Sequence, residues 1–414
     1  MKVIHLTGKD FYGAGRAAYR LHKGLQHAGV ESEMWVGNKR HDDDTVRKVH
    51  SGRLKKLKLW CYRNLEKLSV RIKGHWPKEM FSTGGYSFTL ANKINRAKPD
   101  LVHVHWINRG FMSLNDLAKI EAPLVISMHD MWYFTGGCHY DEECSLYKKS
   151  CGNCPVLASS ELHDLSHTLL ASKQKVYNKK QDMFFVGLSV WMANCAKESF
   201  VLKGRKVLNL PNGIDLDLFK PVDRQGVKER LGINEQKNLI IYAAVDALSE
   251  SRKGYVYLQE ALKCLDGERY EVLVIGESHE SNEVAGIKTH FLGEINDDSI
   301  LVEILSAADV SVVPSLQENL SNMIMESLAC ATPVVAFNIG GNGDMVEHKV
   351  NGYLAKKQNV DDLARGIEWC CDKEHNAKLA NNAKATVEQK FDINIVTKDY
   401  LNFYASVLNN EVDD

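Results

Sequence analysis

The chain has 414 residues, of which 44% are hydrophobic and 25% are charged, a composition typical of a soluble globular protein with two or three domains. The formal net charge is −1, which excludes a protein that binds nucleic acid through a large overall positive charge. No apolar run approaches the roughly 18–20 residues that a membrane helix needs, and the N-terminal segment resembles a first strand more than a secretory signal. We therefore expect a cytoplasmic protein without a nucleic-acid partner.

Short β-rich segments alternate with longer helical patterns along almost the whole chain, which predicts the βαβ units and parallel sheets of an α/β protein. The predicted strands are residues 3–6, 33–36, 101–105, 124–127 and 184–189, and then 239–245, 271–275, 290–292, 310–313 and 334–337. Turn residues cluster at 211–215 and predict a boundary between a first domain, 1–210, and a second domain, 211–390. Apolar residues at helical spacing in 391–414 predict a terminal helix that crosses back to the first domain.

Two glycines, Gly13 and Gly15, stand between the first predicted strand and a helical pattern at 16–25. Glycines in such a place let backbone amides approach a phosphate at the N-terminus of a helix, where the helix dipole favours an anion. A tight turn between strand and helix accounts for them equally well. Both interpretations stay open at this point.

Two glutamates, Glu318 and Glu326, follow the predicted strand 310–313 at the edge where open α/β sheets bind ligands. If a helix begins near Ser321, the first carboxylate lies at the mouth of the site and the second lies on the opening turns. A separation of up to about 12 Å along the helical rise suits a long ligand with hydroxyl groups at both ends, such as a nucleotide sugar. The alternative is a capping residue followed by a solvated helical glutamate.

Two further polar pairs follow predicted strands. Arg252 and Lys253, after strand 239–245, are adjacent cations of the kind that neutralise a diphosphate. His129 and Asp130 follow strand 124–127, where a histidine donates a hydrogen bond or shuttles a proton and an aspartate orients a group or accepts a proton. The alternatives are solvated loop cations and a polar turn.

These features occur in a fixed order along the chain. They are the glycine pair, His129-Asp130, a Pro-Asn-Gly-Ile-Asp segment at 211–215, Arg-Lys-Gly at 252–254, the Glu-x7-Glu pair and Gly340-Gly341. Together they resemble the family 4 retaining glycosyltransferases of the GT-B fold, over nearly the whole chain. The resemblance implies two Rossmann-like domains whose parallel sheets face a central cleft.

The resemblance also implies roles for individual residues. The implied catalytic set is His129, Asp130, Lys253 and Glu318. The implied donor-binding set is Gly13, Gly15, Arg252, Lys253, Glu318, Asn319, Leu320, Ser321, Asn322 and Glu326. Within these sets, His129 contacts the transferred sugar, Arg252 and Lys253 hold the diphosphate, and Glu326 binds the ribose.

The implied activity is transfer of a hexose-type sugar, with retention of configuration, from a UDP- or GDP-sugar to a glycan or lipid-linked acceptor in surface polysaccharide biosynthesis. No catalytic metal is expected, because arginine and lysine replace it in this family. Two alternatives stay open: a nucleotide-sugar epimerase of the same fold and a non-enzymatic zinc-bearing scaffold. A Rossmann dehydrogenase is excluded, since Gly13-Ala14-Gly15 lacks the third glycine of that motif.

Four of the ten cysteines fall in an insertion at 136–156. They are Cys138, Cys144, Cys151 and Cys154. Four thiolates at this density predict a structural tetrahedral zinc site. Reduced thiols and disulfides are the alternatives, and a reducing compartment disfavours disulfides.

Residues 53–78 carry nine Lys or Arg and a single acid, Glu66, and their apolar residues recur at helical spacing. A basic amphipathic helix of this kind lies on an anionic membrane surface, which suits a lipid-linked acceptor and a peripheral location on the inner face of the membrane. The alternative is a surface helix whose apolar face packs into the core.

Overall fold

A computed structural model of the chain describes residues 1–49, 52–71, 80–244, 250–276 and 282–412. The chain divides into two compact units, Met1–Asn212 with Val396–Asp414, and Gly213–Ile395. The sequence predicts these two boundaries between residues 210 and 211 and between residues 390 and 391. In the described part of the chain, no helix combines the length and apolar composition needed to cross a bilayer.

Unit 1 is a seven-stranded parallel sheet with helices in its connections. Its strands are β1 Lys2–Lys9, β2 Glu31–Asn38, β3 Val46–Lys48, β4 Leu101–Val104, β5 Leu124–Met128, β6 Met183–Gly187 and β7 Val207–Asn209. Its helices before the second unit are α1 Tyr12–His27, α2 Arg53–Arg71, α3 Ala91–Ala97, α4 Leu114–Leu117, α5 Leu165–Lys179 and α6 Val190–Lys197. The strand order is β3-β2-β1-β4-β5-β6-β7, so the winding direction reverses between β1 and β4.

Unit 2 repeats this plan with one antiparallel edge strand. Its strands are β8 Asn238–Ala243, β9 Tyr270–Ile275, β10 Glu283–Val284, β11 Ile287–Phe291, β12 Val310–Val313, β13 Val334–Phe337 and β14 Gly352–Ala355. Its helices are α7 Arg224–Leu231, α8 Tyr255–Leu262, α9 Asp298–Ala307, α10 Asn322–Ala329, α11 Asn342–Met345, α12 Val360–Cys371 and α13 Lys373–Lys390, followed by α14 Ile393–Asn409. The order β10-β11-β9-β8-β12-β13-β14 reverses between β8 and β12.

The inner strands form because their side chains are apolar on both faces and helices cover both faces of a parallel sheet. Every residue of β4, β5, β9, β12 and β13 is buried. Several helices begin where a side chain accepts a backbone N–H. Ser189 caps α6 and Ser321 caps α10 in this way, which satisfies one of the N–H groups left over at a helix start.

The α/β class and the two Rossmann-like domains of the prediction are confirmed. All ten predicted strands are present, with ends that differ by a few residues. Strand 184–189 was predicted too long, because Ser189 caps α6 instead of ending a strand. The predicted helix at 53–78 is observed as Arg53–Arg71, and residues 72–79 lie outside the described residues, as does Val245 at the end of strand 239–245.

Candidate functional site

The carboxyl ends of β8 and β12 define the candidate site of unit 2. These two strands are paired in parallel, and the winding direction reverses between them. In open α/β sheets, ligands bind outside the carboxyl ends of the strands at such a point. The chain after β8 leads to a 3₁₀ turn at Ser251–Lys253, and the chain after β12 leads to Glu318. The sheet topology therefore brings together two segments that the sequence separates by 65 residues.

Two hydrogen bonds to backbone carbonyls and one close glycine contact connect these two segments. The N–H of Leu316 donates to the carbonyl of Arg252 at 2.8 Å, and Nη1 of Arg252 donates to the carbonyl of Gln317 at 2.8 Å. Gly254 ends the turn with φ +73° and lies so close to Pro314 that a Cβ atom would overlap the Pro314 carbonyl oxygen. Only glycine combines this backbone conformation with this contact.

The predicted cation pair meets the first predicted glutamate. Nζ of Lys253 lies 3.0 Å from Oε2 of Glu318, and Nη1 of Arg252 lies 3.6 Å from the same oxygen. Nη2 of Arg252 also contacts Oε1 of Glu250 at 2.5 Å. Because the Glu318 side chain is only 12% exposed, these contacts are shielded from water and are stronger than surface ion pairs.

Burial works against ionisation of Glu318, but the charges of Lys253 and Arg252, with hydrogen bonds from Lys253 and Ser315, outweigh it and lower the pKa of this carboxyl. A carboxylate with a depressed folded-state pKa stabilises the fold above its unfolded pKa of about 4.3, and the stabilisation is lost as the pH falls through the folded value. Glu318 is therefore ionised at neutral pH.

We expect Glu318→Gln to lower the free energy of unfolding at pH 7, because it leaves two cations without their shared partner. The difference from the wild-type chain should shrink as the pH falls below about 4. Urea unfolding of both proteins from pH 3 to pH 8 measures this. A difference that stays constant over the whole range would contradict the role of the charge.

The N-terminus of α10 occupies the same edge of the sheet. Ser321 caps this helix and its hydroxyl accepts the N–H of Ile324, so the helix begins at Asn322 as the sequence predicts. Asn319, Leu320 and Ser321 are buried, and the carbonyl of Glu318 accepts the N–H of Gly341 at 3.2 Å. A helix start at the mouth of a site presents backbone N–H groups and the positive end of the helix dipole to an anion.

Glu326 lies on the second turn of α10 and is 2% exposed. The alternative of a solvated helical glutamate at this position is therefore wrong. Acidic side chains are buried only where they have partners, and Glu326 is among the described residues that have such an interaction. Its contact with a ribose stays a prediction.

The predicted glycine loop of unit 1 is wrong in its placement. Helix α1 already begins at Tyr12, so Gly13 and Gly15 lie in its first turn and not in a loop before it. A Cβ atom on Gly15 would come within 2.5 Å of the Lys9 carbonyl oxygen, so this glycine is required for packing against the end of β1. Gly13 is exposed, and a Cβ atom added to it would have no atom within 4 Å, so it alone keeps the interpretation of a close ligand approach.

His129 and Asp130 follow β5, as predicted, and have different surroundings. Asp130 is buried and accepts hydrogen bonds from His139 Nδ1 at 2.6 Å, Trp132 N at 2.9 Å and Trp106 Nε1 at 3.0 Å. Burial opposes its ionisation, but His139 and these hydrogen bonds lower the pKa of its carboxyl. Asp130 therefore orders the loop around it, and its part in proton transfer stays a prediction.

A chain of histidines behind His129 was not predicted from the sequence. His5 on β1 and His105 just after β4 connect to His129 through ring nitrogens. His5 and His105 lie in segments with the pattern of apolar strands. The sequence feature that pointed to a histidine cluster was the pair His103 and His105, at alternate positions. Side chains at alternate positions share one face of a strand.

The four clustered cysteines line one pocket in unit 1, together with Asp141, Tyr147 and Ser166. The four cysteines are free thiols. Burial raises the pKa of the Cys151 thiol to about 12, and the neighbouring Cys144 and Cys154 raise it further. Among the described residues, the ligand atoms of His5, His103 and His105 all lie within 4.8 Å of one another. The sulfur atoms of the four cysteines do not form such a group, so they are farther apart than the ligands of a bound zinc ion. Their number and type fit a zinc ion, and the sulfur atoms would have to move closer to bind it.

Helix α2 presents apolar side chains to solvent. Trp60 is 63% exposed and Leu57 is 58% exposed, and Leu65 and Leu68 are also exposed. The opposite side of the helix is held by Glu66, whose Oε1 accepts the N–H of Thr83 at 2.8 Å. The alternative of an apolar face packed into the core is therefore wrong for these residues. Exposed lysines and an arginine flank the apolar face: Lys58, Arg63 and Lys67.

Comparison with known proteins extends this description. The family model "Glycosyltransferase Family 4" matches residues 11–218, and "Glycosyl transferases group 1" matches residues 223–386. An uncharacterized glycosyltransferase of Methanocaldococcus jannaschii is 24% identical over 352 residues, which cover 78% of this chain and 88% of the relative. The UDP-Gal:alpha-D-GlcNAc-diphosphoundecaprenol alpha-1,3-galactosyltransferase of Escherichia coli is 25% identical over 213 residues, 48% of this chain and 54% of the relative.

Solved structures agree in fold. Sucrose-phosphate synthase from Thermosynechococcus elongatus matches with a TM-score of 0.68 and 18% identity, over 99% of this chain and 100% of that one. Anabaena HepE in complex with UDP-glucose matches with a TM-score of 0.64 and 18% identity, over 98% of this chain and 100% of that one. Since the first family model spans half of the sequence and the fold is that of these structures, the chain belongs to glycosyltransferase family 4 and has the GT-B fold.

Proposed function

We propose that this glycosyltransferase moves a hexose-type sugar from a UDP-sugar to a glycan or lipid-linked acceptor, with retention of configuration, in surface polysaccharide biosynthesis. The observation that carries the proposal is the meeting of Lys253, Arg252 and Glu318 at the carboxyl ends of β8 and β12. UDP is favoured over GDP because UDP stands in the names of the Escherichia coli relative and of the HepE complex.

The site chemistry matches a reaction in which a diphosphate leaves with negative charge. The ammonium of Lys253 and the guanidinium of Arg252 offset that charge without a metal ion. Backbone N–H groups at the start of α10 add a second source of positive potential. Glu318, which is ionised at neutral pH, accepts hydrogen bonds from sugar hydroxyls, and His129 contacts the transferred sugar.

Ligand-induced stabilisation tests the donor class. We expect UDP and a UDP-hexose to raise the melting temperature by more than about 2 °C when the ligand concentration is far above a micromolar affinity. The parallel samples contain GDP, ADP and their sugars. Stabilisation by GDP compounds alone would replace the UDP assignment, and no stabilisation by any nucleotide would contradict the transferase. Release of UDP only with an added acceptor separates transfer from epimerisation.

A lipid-linked acceptor requires contact with a membrane surface, and α2 provides the surface for it. We propose that Trp60, Leu57 and Leu68 insert at the headgroup boundary while the flanking cations meet anionic lipids on the cytoplasmic face. In flotation with vesicles containing phosphatidylglycerol, replacing all three residues by serine should weaken binding roughly 100-fold or more, because each side chain loses apolar burial.

The matched control replaces exposed apolar residues elsewhere. Leu162→Ser, Val256→Ser and Ile300→Ser change three side chains that are at least as exposed as Leu68 and should leave vesicle binding intact. Raising the salt concentration should weaken binding of the wild-type chain, since exposed charges are screened. Equal vesicle binding by the two triple variants, or no binding by the wild-type chain at low salt, would refute the membrane role of α2.

We further propose that the cysteine insertion binds a structural zinc ion. Protein purified without chelator should contain about one zinc per chain, and Cys151→Ser should lower that content, because a four-thiolate site loses a ligand. Cys264→Ser, at an exposed cysteine outside the insertion, is the control and should not change the zinc content. A wild-type content below about 0.2 zinc per chain would contradict the proposal, since such sites bind zinc tightly.

A further inference from the structure

Three histidines in unit 1 form a continuous chain that ends at His129. Nδ1 of His5, in the middle of β1, lies 3.1 Å from Nε2 of His105. Nδ1 of His105 lies 3.0 Å from Nε2 of His129. His5 and His105 are buried, whereas His129 is partly exposed. The chain therefore connects the interior of the sheet to a side chain at its carboxyl edge.

All three imidazoles are neutral at pH 7. Burial lowers the pKa of His129 to about 4. Burial, with neighbouring histidines adding to it, places the pKa of His5 and of His105 well below the ordinary range. A neutral imidazole has one N–H donor and one lone pair, so each ring of the chain donates through one nitrogen and accepts through the other.

Only two proton arrangements keep both hydrogen bonds. In the first, each ring carries its proton on Nδ1, so that His5 donates to His105, His105 donates to His129, and Nδ1–H of His129 points away from the chain. In the second, each ring carries its proton on Nε2 and both bonds run in the reverse direction. The two arrangements differ in what they leave at the buried end, which is Nε2 of His5.

Nε2 of His5 is buried and has no hydrogen-bond partner among the described residues. The titratable groups that face His5 are His22 and His103. His22 is engaged with Ser32 and Thr45, and His103 with Tyr404 and Ser127. The reverse arrangement would therefore bury an N–H donor without an acceptor, which folded proteins rarely tolerate. The first arrangement leaves only a lone pair at Nε2 of His5, which needs no acceptor.

We propose that His5 and His105 hold His129 as its Nδ1–H tautomer, so that His129 presents a hydrogen-bond donor at the carboxyl edge of the sheet. Among the described residues, Nδ1 of His129 has no hydrogen-bond partner. The consequence for catalysis rests on the proposed function: this N–H donates to an oxygen of the transferred sugar. His5 and His105 are positioning residues for His129.

The same histidines are less suited to a metal site. The ligand atoms of His5, His103 and His105 lie within 4.8 Å of one another, but both nitrogens of His103 and both nitrogens of His105 already have hydrogen-bond partners. Binding a cation there would break these bonds inside the core. The hydrogen-bond chain uses the same nitrogens without such a loss.

Nitrogen NMR of the full-length protein with ¹⁵N-labelled histidine tests the tautomer directly. The His129 signals are assigned by their loss in His129→Asn. We expect Nδ1 of His129 to be the protonated nitrogen and Nε2 the unprotonated one, at pH 7 and without ligand. Protonation of Nε2, or a mixture of both forms in the wild-type protein, would overturn the proposal.

Variants of His105 test the path of the effect. His105→Leu removes the donor to His129, and we expect a mixture of tautomers and a fall in kcat/KM of about tenfold, the scale of one hydrogen bond. His105→Gln keeps a side-chain donor and acceptor and should restore the single tautomer and most of the activity. His103→Leu changes an equally buried histidine outside the chain and should leave the tautomer unchanged. A tautomer mixture in His103→Leu as well as in His105→Leu would overturn the assigned path.

The two proposals fail in distinguishable ways. If the protein does not act on nucleotide sugars, the wild-type form and every variant lack turnover while the NMR result still decides the tautomer. If turnover is present but His105→Leu shifts the tautomer without lowering kcat/KM, the role of the Nδ1–H donor in the reaction is overturned.

Discussion

Lys253→Met should lower kcat by about 10²- to 10³-fold, the usual effect of removing one charged donor that stabilises a developing negative charge. The substitution keeps the aliphatic stem of the side chain and removes the ammonium that lies 3.0 Å from Glu318. Arg252 remains at 3.6 Å from that carboxylate, so Glu318 keeps one cation and the fold should persist. Steady-state release of UDP from a UDP-sugar with acceptor present measures the loss.

The matched control is Lys263→Met. Lys263 follows α8 directly, at the opposite end of that helix from the turn at Ser251–Lys253, and it is exposed and pairs with Glu260 at 2.6 Å. Surface pairs of this kind contribute little, so both turnover and thermal stability should match the wild-type values. If Lys253→Met lowers turnover by less than about fivefold, Lys253 does not contact the diphosphate, since loss of a charged contact to a leaving group has a larger effect.

Gly254→Ala should lower the free energy of unfolding by about 2–4 kcal/mol, because a left-handed backbone conformation and an overlap with backbone are both unfavourable for alanine. Gly254 has φ +73°, and a Cβ atom on it would overlap the Pro314 carbonyl oxygen. Relief of that overlap moves the Arg252–Lys253 turn away from the segment after β12. Activity should therefore fall together with stability, and urea unfolding with a turnover assay measures both.

Gly232→Ala separates the two causes. Gly232 also has a left-handed conformation, φ +64°, but nothing lies within 4 Å of its Cβ position. This variant should be destabilised by about 1–2 kcal/mol, the conformational part alone, with no loss of turnover. Equal destabilisation of the two variants would show that the contact of Gly254 with Pro314 does not hold the turn in place.

The sequence predicted the inner strands well and the outer strands poorly, for a physical reason. The ten predicted strands include all the inner ones, which are apolar because helices cover both faces. The four strands that escaped prediction are β3, β7, β10 and β14, which are the outermost strands of the two sheets. They are two to four residues long, and short edge strands carry little of the apolar pattern on which prediction depends.

The candidate site was predictable as a set of residues but not as an arrangement. Arg252, Lys253 and Glu318 are recognisable from their positions after strands, yet their convergence depends on which strands pair. The N-terminal glycines were misplaced because α1 begins at Tyr12, earlier than the glycine pattern suggests. The histidine chain was missed because His5 and His105 stand in apolar segments, and hydrogen bonds between buried side chains leave no periodic signal.

Calorimetric titration of UDP and UMP tests the central claim most directly, namely that Arg252 and Lys253 hold a nucleoside diphosphate. We expect UDP to bind the wild-type chain at least about tenfold more tightly than UMP, since the added phosphate gains charge-assisted hydrogen bonds. In Lys253→Met this difference should largely disappear while UMP affinity is retained. Equal affinity of the wild-type chain for UDP and UMP, or an unchanged difference in Lys253→Met, would contradict a diphosphate site at these two cations.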